Sequence, residues 1–295
     1  MIITRTIEET RKHIDRWRSK GETIGFVPTM GSLHDGHESL IVKSVEDNDK
    51  TVVSVFVNPK QFSANEDLAT YPQNFEADCV VCENAKADLI FYPRGNEMYS
   101  KDFSTYVNMS GTSLTQTLCA RSRPTHFEGV CTVVLKLFNI VNADRAYFGQ
   151  KDAQQLEIVK RMVRDLNLTV EIVACPIVRE LDGLAMSSRN SYLSEKERQA
   201  ALSLSKSLFA AEKLIKKGER NIDKIIDAMQ EIISAEELAE IDYIEILDAD
   251  NLSPLGEIKL PFIIALAVFI GKTRLIDNYI QIDKSPLKPY GSWRF

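Results

Sequence analysis

The stretch that decides the fold is TIGFVPTMGSLHDGH, which occupies residues 23–37. Its first part, residues 23–27, is apolar and strand-like, and a helix pattern begins at residue 36 and runs to about residue 48. The segment therefore predicts a strand, a turn and a helix whose N-terminus presents exposed N–H groups and the positive end of its dipole. An anion such as a nucleotide phosphate binds favourably at such a helix end.

The first 180 residues continue this alternation of strands and helices. Strand patterns at residues 51–57, 88–92, 145–149 and 170–175 alternate with helix patterns at residues 74–86, 127–141 and 152–167. Such alternation predicts an α/β fold built on a doubly wound, Rossmann-like parallel sheet. Ligands of these sheets bind at the carboxyl ends of the strands, near the point where the strand order reverses.

The pattern changes after about residue 190. Helices are predicted at residues 194–218 and 221–237, and strands at residues 241–247 and 261–270. We therefore expect two domains, a Rossmann-like nucleotide- and substrate-binding domain at residues 1–180 and a smaller α+β domain at residues 181–295. The tail at residues 285–295 matches no pattern that assigns it a role.

Composition excludes several classes of protein. The 295 residues include 36 Lys and Arg against 42 Asp and Glu, which gives a formal net charge of −6, whereas a protein that coats nucleic acid needs a surplus of cations. The longest apolar run, residues 262–270, is far shorter than the roughly 20 residues that span a bilayer. The N-terminus lacks a signal-peptide core and five cysteines do not suggest a disulfide scaffold, so we expect a cytoplasmic protein without nucleic-acid or membrane partners.

Two histidines stand at the rim of the predicted anion site. His34 and His37 follow the first quoted strand, and each imidazole can donate a hydrogen bond to a phosphate oxygen. A surface pair on a helix, or two of several metal ligands, would equally suit a spacing of three residues. No HExxH or carboxylate-flanked pattern accompanies them, so we predict phosphate binding and no protein-held metal site.

Three further motifs do not indicate other cofactors. Cys79 and Cys82 form a lone CxxC within a predicted helix, which favours two small core-facing residues over zinc or redox chemistry. Gly271-Lys272-Thr273 is not a P-loop, because Leu266 stands where the first glycine of that motif is required. No GxGxxG occurs, so NAD is not implied.

The HxGH of residues 34–37 resembles that of the nucleotidyltransferase superfamily related to class I aminoacyl-tRNA synthetases. The longer string at residues 28–37 is similar to that of the pantoate–β-alanine ligase family. Further segments occur in the order of that family, over nearly the whole chain: VNPKQF at 57–62, YP at 71–72, HFEGV at 126–130, YFGQKDAQQ at 147–155, MSSRN at 186–190 and GKTRLIDN at 271–278.

The resemblance implies a reaction and its partners. Members of the family condense (R)-pantoate with β-alanine at the expense of ATP, through a pantoyl adenylate, and release pantothenate, AMP and pyrophosphate. The expected ligands are therefore ATP with Mg²⁺, pantoate and β-alanine, all of them small molecules. The resemblance also implies a homodimer. Because the MSSRN segment at residues 186–190 lies at the junction of the two domains, we expect the second domain to close over the nucleotide as a lid.

The resemblance also implies roles for individual residues. His34 and His37 would hold the ATP phosphates, and His37 would give a proton to the departing pyrophosphate. The expected catalytic residues are His37, His34, Lys151, Ser187, Ser188 and Arg189. The expected ATP-binding residues are Met30, Gly31, Ser32, Leu33, His34, Asp35, Gly36, His37, Gly149, Gln150, Lys151, Asp152, Val178, Met186, Ser187, Ser188 and Arg189. Gln61 and Gln155 would bind pantoate, and Asp78 is a candidate carboxylate on the magnesium side.

Some of these residues have plainer interpretations. Asp152 would also suit a helix cap, Gln155 a solvated helix position, and Ser187-Ser188 an ordinary turn. His126 is either a site residue or a partly buried residue that orients a loop. A nucleotidyltransferase with another acceptor, or a nucleotide-binding protein without catalysis, remains an alternative function.

Three positions depart from the family pattern. Lys60 stands where Met or Thr is more usual, Gln73 where Arg is common, and Thr125 where a glycine precedes His126. We expect Lys60 and Gln73 to change the charge near the site.

Overall fold

Strands and helices alternate along most of the computed structural model, which describes residues 1–63 and 66–282. The strands are β1 (Ile2–Thr4), β2 (Ile24–Thr29), β3 (Lys50–Val55), β4 (Leu89–Phe91), β5 (Arg145–Gly149), β6 (Glu171–Cys175), β7 (Ala239–Asp248), β8 (Phe262–Ile270) and β9 (Thr273–Gln281). The helices are α1 (Ile7–Arg18), α2 (Asp35–Asp47), α3 (Phe75–Asn84), α4 (Gly95–Met98), α5 (Leu118–Ser122), α6 (His126–Val141), α7 (Ala153–Asp165), α8 (Glu195–Lys216) and α9 (Ile222–Ser234). Short 3₁₀ turns cover Pro59–Gln61, Gln150–Asp152 and Ser188–Tyr192.

Six strands form one parallel sheet in the order β1-β4-β3-β2-β5-β6, which confirms the predicted doubly wound α/β fold. Strand β2 pairs with β3 on one side and with β5 on the other, so the strand order reverses at β2. Because parallel strands run in one direction, the loops that follow β2, β3 and β5 leave the same edge of the sheet. This edge, at the switch point, is where such folds bind ligands.

Helices cover both faces of this sheet. Val27 of β2 belongs to a core cluster with Leu40 and Ile41 of α2. The next residue toward the N-terminus, Phe26, contacts Phe138 of α6 with 6.4 Å between ring centroids. Since successive strand residues point to opposite faces, burial on both sides explains why these strands are apolar throughout instead of alternating.

The second sheet is antiparallel and has β8 between β7 and β9. Alternate residues of β8, including Leu266 and Val268, share a core with Leu204 of α8 and Met229 of α9. This arrangement agrees with the predicted α+β character of the C-terminal part. Among the helices of the described residues, none is both long enough and apolar enough to cross a membrane.

The described chain divides into two compact units. The first contains residues 1–111 and 120–176, and the second contains residues 112–119 together with the described residues from 177 onward. Cys119, at the end of the short segment, lies with its Sγ 3.3 Å from the Tyr243 hydroxyl of β7 and 3.5 Å from the Arg274 guanidinium of β9. Sequence patterns do not predict this membership, because a segment of eight residues is too short to show a periodicity.

Strands β1 and β9 were not predicted from the sequence. Strand β1 has only three residues, too few for a pattern. Strand β9 follows β8 through a turn at Gly271, whose φ is +56°. The Gly271-Lys272-Thr273 segment is therefore a hairpin turn that leads into a strand, which agrees with the rejection of a P-loop.

The helix predicted over residues 152–167 is shorter in the structure, since α7 covers Ala153–Asp165 and the Leu166 side chain is 46% exposed. The buried side chains of α7 include Leu156, Ile158, Val159 and Met162. A helix that packs between neighbouring elements buries a wider face than one stripe, and its last turn extends beyond the core.

The CxxC motif lies on α3 and is partly in the core. Cys82 is buried and Cys79 is half-buried. Burial raises the pKa of both thiols, that of Cys82 to about 12, so neither is a ready thiolate. Among residues 1–63 and 66–282, no cluster of three or more His, Cys, Asp or Glu side chains could hold a metal ion.

Gly129 of α6 allows the helix to touch the turn Pro59–Gln61. A Cβ at this position would lie 2.2 Å from the Lys60 carbonyl oxygen and 2.6 Å from the Gln61 backbone nitrogen. We expect Gly129→Ala to lower the free energy of unfolding by about 1–3 kcal/mol, because backbone cannot move aside as a flexible side chain does. Urea denaturation of the variant measures this loss.

Gly95→Ala is the matched control, since Gly95 also lies in a helix but has nothing within 4 Å of such a Cβ. Alanine is the better helix former, so the control should keep or slightly raise the urea midpoint. Equal midpoints for the two variants would contradict the close contact at Gly129.

Candidate active site

The loop after β2 is shaped by two residues in the left-handed region. Gly31 has φ +82° and Ser32 has φ +54°, and the N–H groups of Ser32 and Leu33 donate to Asp78 of α3 at 3.2 and 2.7 Å. Asp78 is only 2% exposed, and burial raises its pKa against the opposing effect of these two hydrogen bonds. The sequence placed Asp78 on the magnesium side, whereas both of its carboxylate oxygens accept loop N–H groups.

His34 and His37 form a reciprocal cap at the start of α2. The His34 Nδ1 accepts from the Gly36 N–H at 3.2 Å, and the His37 Nδ1 accepts from the His34 N–H at 3.4 Å. The two rings lie 4.1 Å apart between centroids. Because an imidazole nitrogen that accepts a hydrogen bond carries no proton, each neutral ring is protonated on Nε2.

Electrostatics keeps His37 neutral in the ligand-free protein. Burial lowers the pKa of His37 well below its usual value, and the charges of His34 and Lys151 lower it further. Strand β5 lies next to β2 in the parallel sheet, so the turn after β5 that carries Lys151 leaves the same edge as the histidine pair. Two predicted phosphate-binding segments, residues 30–37 and 149–152, thus meet at the switch point of the sheet.

The segment after β5 does not behave as an ordinary capped helix start. Gly149 ends the strand, and Gln150–Asp152 forms a 3₁₀ turn before α7 begins at Ala153. Within the described helix α7, the Asp152 side chain makes no capping hydrogen bond; its carboxylate lies 3.8 Å from the Lys151 Nζ. Gln155 is half-buried in the first turn of α7, so it is not a fully solvated position.

Gln61 is held in place at the end of the loop after β3. Its side chain is 8% exposed, and its Oε1 accepts from the Asn58 Nδ2 at 3.0 Å while its Nε2 contacts the Met30 Sδ at 3.0 Å. Asn58 is in turn fixed by the Gly129 carbonyl oxygen at 3.0 Å and by the Tyr99 hydroxyl at 2.8 Å. The predicted pantoate-binding amide therefore lies beside Met30, the first residue of the predicted ATP loop.

His126 contacts the loop that carries Gln61, which agrees with its interpretation as a residue that orients a loop. Its Nδ1 lies 2.9 Å from the Gln61 carbonyl oxygen, which can only accept, so Nδ1 carries the proton. The Nε2 lies 3.2 Å from the Arg123 guanidinium, which also donates to both oxygens of Glu66. Burial, with a smaller contribution from Arg123, lowers the pKa of His126 to about 4, so the ring is neutral at physiological pH.

The remaining predicted ATP-binding residues lie together in the second unit. Val178 accepts a backbone hydrogen bond from Met186 at 3.0 Å, in a short hairpin closed by an Arg179–Ala185 bridge. Ser187 accepts from the Arg189 N–H at 3.3 Å and so caps the turn Ser188–Tyr192, which agrees with its plainer interpretation as a turn residue.

Two carboxylates fix this hairpin. The Asn190 side chain donates to the Glu180 carboxylate at 2.8 Å and to the Ala185 carbonyl oxygen at 3.1 Å. Arg179 forms a bidentate pair with Asp277 of β9 at 2.6 and 2.9 Å. Asp277 is 2% exposed, so this pair is buried and anchors the hairpin to the second sheet.

The structure describes the surroundings of the three residues that depart from the family pattern. The Lys60 Nζ donates to the Tyr106 hydroxyl at 2.7 Å and lies 5.3–6.0 Å from the centroids of the Tyr99, Phe103 and Tyr106 rings. Its charge is therefore engaged by an aromatic cluster. Gln73 is exposed, and Thr125 precedes α6 as its N-cap residue.

Sequence reasoning did not single out three residues of this arrangement. Asn58 holds the side chain of Gln61 and Arg123 contacts its backbone carbonyl, while Tyr99 holds Asn58. Asn58 carried a signal, because Asn before Pro favours the start of a turn. Tyr99 and Arg123 carried none, since each is brought to the loop from a distant and irregular part of the chain.

Comparisons with known proteins show which family the sequence matches. Residues 2–280 match the family model described as pantoate-beta-alanine ligase. A curated relative from Enterococcus faecalis, named pantothenate synthetase, is 54% identical over 279 residues, which cover 95% of this chain and 98% of the relative. A pantothenate synthetase from Ruminiclostridium cellulolyticum is 56% identical over 274 residues, which cover 93% of this chain and 96% of the relative.

Solved structures give the same result. The pantothenate synthetase of Thermus thermophilus has a TM-score of 0.90 and 42% identity, with coverage of 95% of this chain and 99% of that one. The pantoate-beta-alanine ligase of Francisella tularensis, complexed with beta-gamma ATP and beta-alanine, has a TM-score of 0.77 and 33% identity, with coverage of 95% and 97%. The family model and these relatives show that the chain belongs to the pantoate–β-alanine ligase family, the enzymes that join pantoate to β-alanine.

Proposed function

We propose that the protein makes pantothenate from (R)-pantoate and β-alanine in two steps driven by ATP. In the first, the pantoate carboxylate attacks the α-phosphorus, so that a C–O–P bond forms and pyrophosphate leaves. In the second, the β-alanine amine attacks the acyl carbon of the pantoyl adenylate, an amide bond forms, and AMP leaves. A carboxylate is already ionised at neutral pH, so the first step needs no strong base and depends on positioning and charge neutralisation.

The observation that carries the proposal is the histidine pair at the end of β2. Both Nδ1 atoms are occupied by backbone N–H donors, which leaves Nε2–H as the donating position of each ring. Lys151 adds a positive charge beside the pair. Two neutral N–H donors and an ammonium group suit the oxygens of a triphosphate, and the Francisella tularensis relative was crystallised with a nucleotide of that class.

The other residues receive the roles that the family resemblance implies. Gln61 and Gln155 bind pantoate through its hydroxyls and carboxylate, and Gln61 lies beside the ATP loop through Met30. Ser187, Ser188 and Arg189 bind phosphate oxygens, and the backbone of Val178 contacts adenine. The His37 imidazole stabilises the departing pyrophosphate as a hydrogen-bond donor, because its lowered pKa keeps it neutral before the nucleotide binds.

Magnesium enters the reaction as the complex with ATP. The described residues offer no cluster of carboxylates or imidazoles that would hold the ion by itself, and Asp78 already accepts two N–H groups. Mg²⁺ keeps several waters and binds readily through substrate phosphates, where it neutralises charge. The homodimer and the lid role of residues 181–295 stay predictions.

The function is tested by pantoate-dependent exchange of labelled pyrophosphate into ATP. We expect exchange with Mg²⁺, ATP and pantoate before any β-alanine is added. Release of AMP should require both pantoate and β-alanine. Exchange that ignores pantoate but responds to a phosphate ester would indicate a nucleotidyltransferase with another acceptor. Nucleotide binding without turnover would indicate a binding protein.

Lys151→Ala is expected to lower kcat by roughly 100- to 1,000-fold, the usual cost of removing one charged contact to a transition state. Steady-state kinetics should show a much smaller change in the KM for ATP. Lys160→Ala is the matched control, since Lys160 lies on α7 but pairs with Glu157 at 2.7 Å and is 41% exposed. Equal losses in rate and in nucleotide affinity for Lys151→Ala would contradict its role in the transition state.

The ring tautomers of three histidines are predicted from their partners. In the ligand-free protein at pH 7.5, about one unit above the ordinary histidine pKa, imidazole ¹⁵N shifts should show His34 and His37 protonated on Nε2 and His126 on Nδ1. His126, which carries its proton on the other ring nitrogen, thus serves as an internal reference. Its titration midpoint should lie near the pKa of about 4 that burial and Arg123 impose, so the ring stays neutral at pH 7.5. Nδ1 protonation of His37 would contradict the reciprocal cap.

A further inference from the structure

The most buried carboxylate near the predicted phosphate site belongs to Asp78, and it faces backbone instead of a cation. It lies on α3, the helix that also carries Cys79 and Cys82. Its Oδ1 accepts from Leu33 N–H at 2.7 Å and its Oδ2 accepts from Ser32 N–H at 3.2 Å. We propose that Asp78 is a positioning residue that holds the ATP loop in its active shape, an inference that rests on the proposed function of that loop.

The loop needs such a partner because its backbone is strained. Ser32 has φ +54°, a conformation that residues with a side chain rarely adopt. An ionised carboxylate that accepts two N–H groups is a strong and directional partner, so it offsets the cost of the left-handed turn. Gly31 is required for the same contact, since a Cβ there would lie 2.8 Å from the Asp78 Oδ2.

The effect of Asp78 reaches the histidines through the chain. His34 follows Leu33 directly, and the His34 N–H is the donor that fixes the His37 ring. A change in the direction of the Leu33 peptide therefore moves both imidazoles. Because Asp78 already accepts from the Ser32 and Leu33 N–H groups, these two backbone amides take no part in phosphate recognition.

A direct role for Asp78 as a magnesium ligand would require a different orientation of its carboxylate. The carboxylate would have to turn away from the loop, although it is 2% exposed and hydrogen-bonded through both oxygens. In that case nucleotide binding without metal would not depend on Asp78. Under our proposal, binding of metal-free ATP depends on it, because the loop itself is altered.

The decisive comparison is Asp78→Asn against Asp88→Asn. Asp88 also accepts a backbone N–H, that of Thr51 at 2.9 Å, and it pairs with Lys50 at 3.0 Å. It immediately precedes β4, at the opposite edge of the sheet from the ATP loop. Loss of its charge should lower the melting temperature without changing nucleotide affinity.

We expect Asp78→Asn to lower kcat/KM for ATP by about 10- to 100-fold, the range that a small misplacement of catalytic groups produces. The KM for β-alanine should stay unchanged. Calorimetric titration in EDTA should show weaker binding of metal-free ATP, and hydrogen exchange of the ligand-free variant should be faster in residues 30–37 than in wild type. Asp88→Asn should show none of these changes.

Several outcomes would overturn the inference. Asp78→Asn that matches Asp88→Asn in ATP affinity and loop exchange would exclude a positioning role, and a defect removed by raised Mg²⁺ would assign Asp78 to the metal. If the variant does not fold, hydrogen exchange of the ligand-free wild-type protein provides the test. The proposal requires slow exchange of the Ser32 and Leu33 amides, and fast exchange of both would overturn it. Failure of the proposed function is separate, because it would appear as wild-type enzyme without pantoate-dependent exchange.

Discussion

The parallel pairing of β2 with β3 on one side and β5 on the other is the constraint on which the site depends. It places three loops at one edge of the sheet, and each loop brings a different chemical group: imidazoles after β2, an amide after β3 and an ammonium after β5. None of these segments is close to the others in sequence. Their proximity follows from strand order alone, as it does for ligand sites in other doubly wound folds.

Neutral hydrogen-bonding groups dominate the site. Gln61 is fixed by Asn58, His126 and Met30, and the histidine pair is fixed by backbone N–H groups. Side chains locked by such partners lose little further entropy when a substrate binds, and they hold their donors in the required directions. Chemistry that begins with an ionised carboxylate needs this kind of positioning more than it needs a base.

The fold could be predicted from the sequence, because strand–helix periodicity is local. The motif at residues 28–37 is long enough to locate the candidate phosphate site at the loop after β2. The prediction failed where information is not local. Strand β1 is too short for a pattern, the role of residues 112–119 depends on a distant sheet, and Asp78 shows its function only through the backbone groups that face it. A sequence displays residue types, but it does not display which N–H groups they meet after folding.

If the nucleotide binds at the histidine pair as proposed, the lowered pKa of His37 couples that binding to proton uptake from the solvent. A polyanion placed beside an imidazole stabilises its protonated form and so raises its pKa. When the pH lies between the pKa values of the ligand-free and nucleotide-bound states, each binding event takes up a proton from the buffer. The heat of nucleotide binding then varies with the ionisation enthalpy of the buffer, and affinity increases as the solution becomes more acidic within that interval.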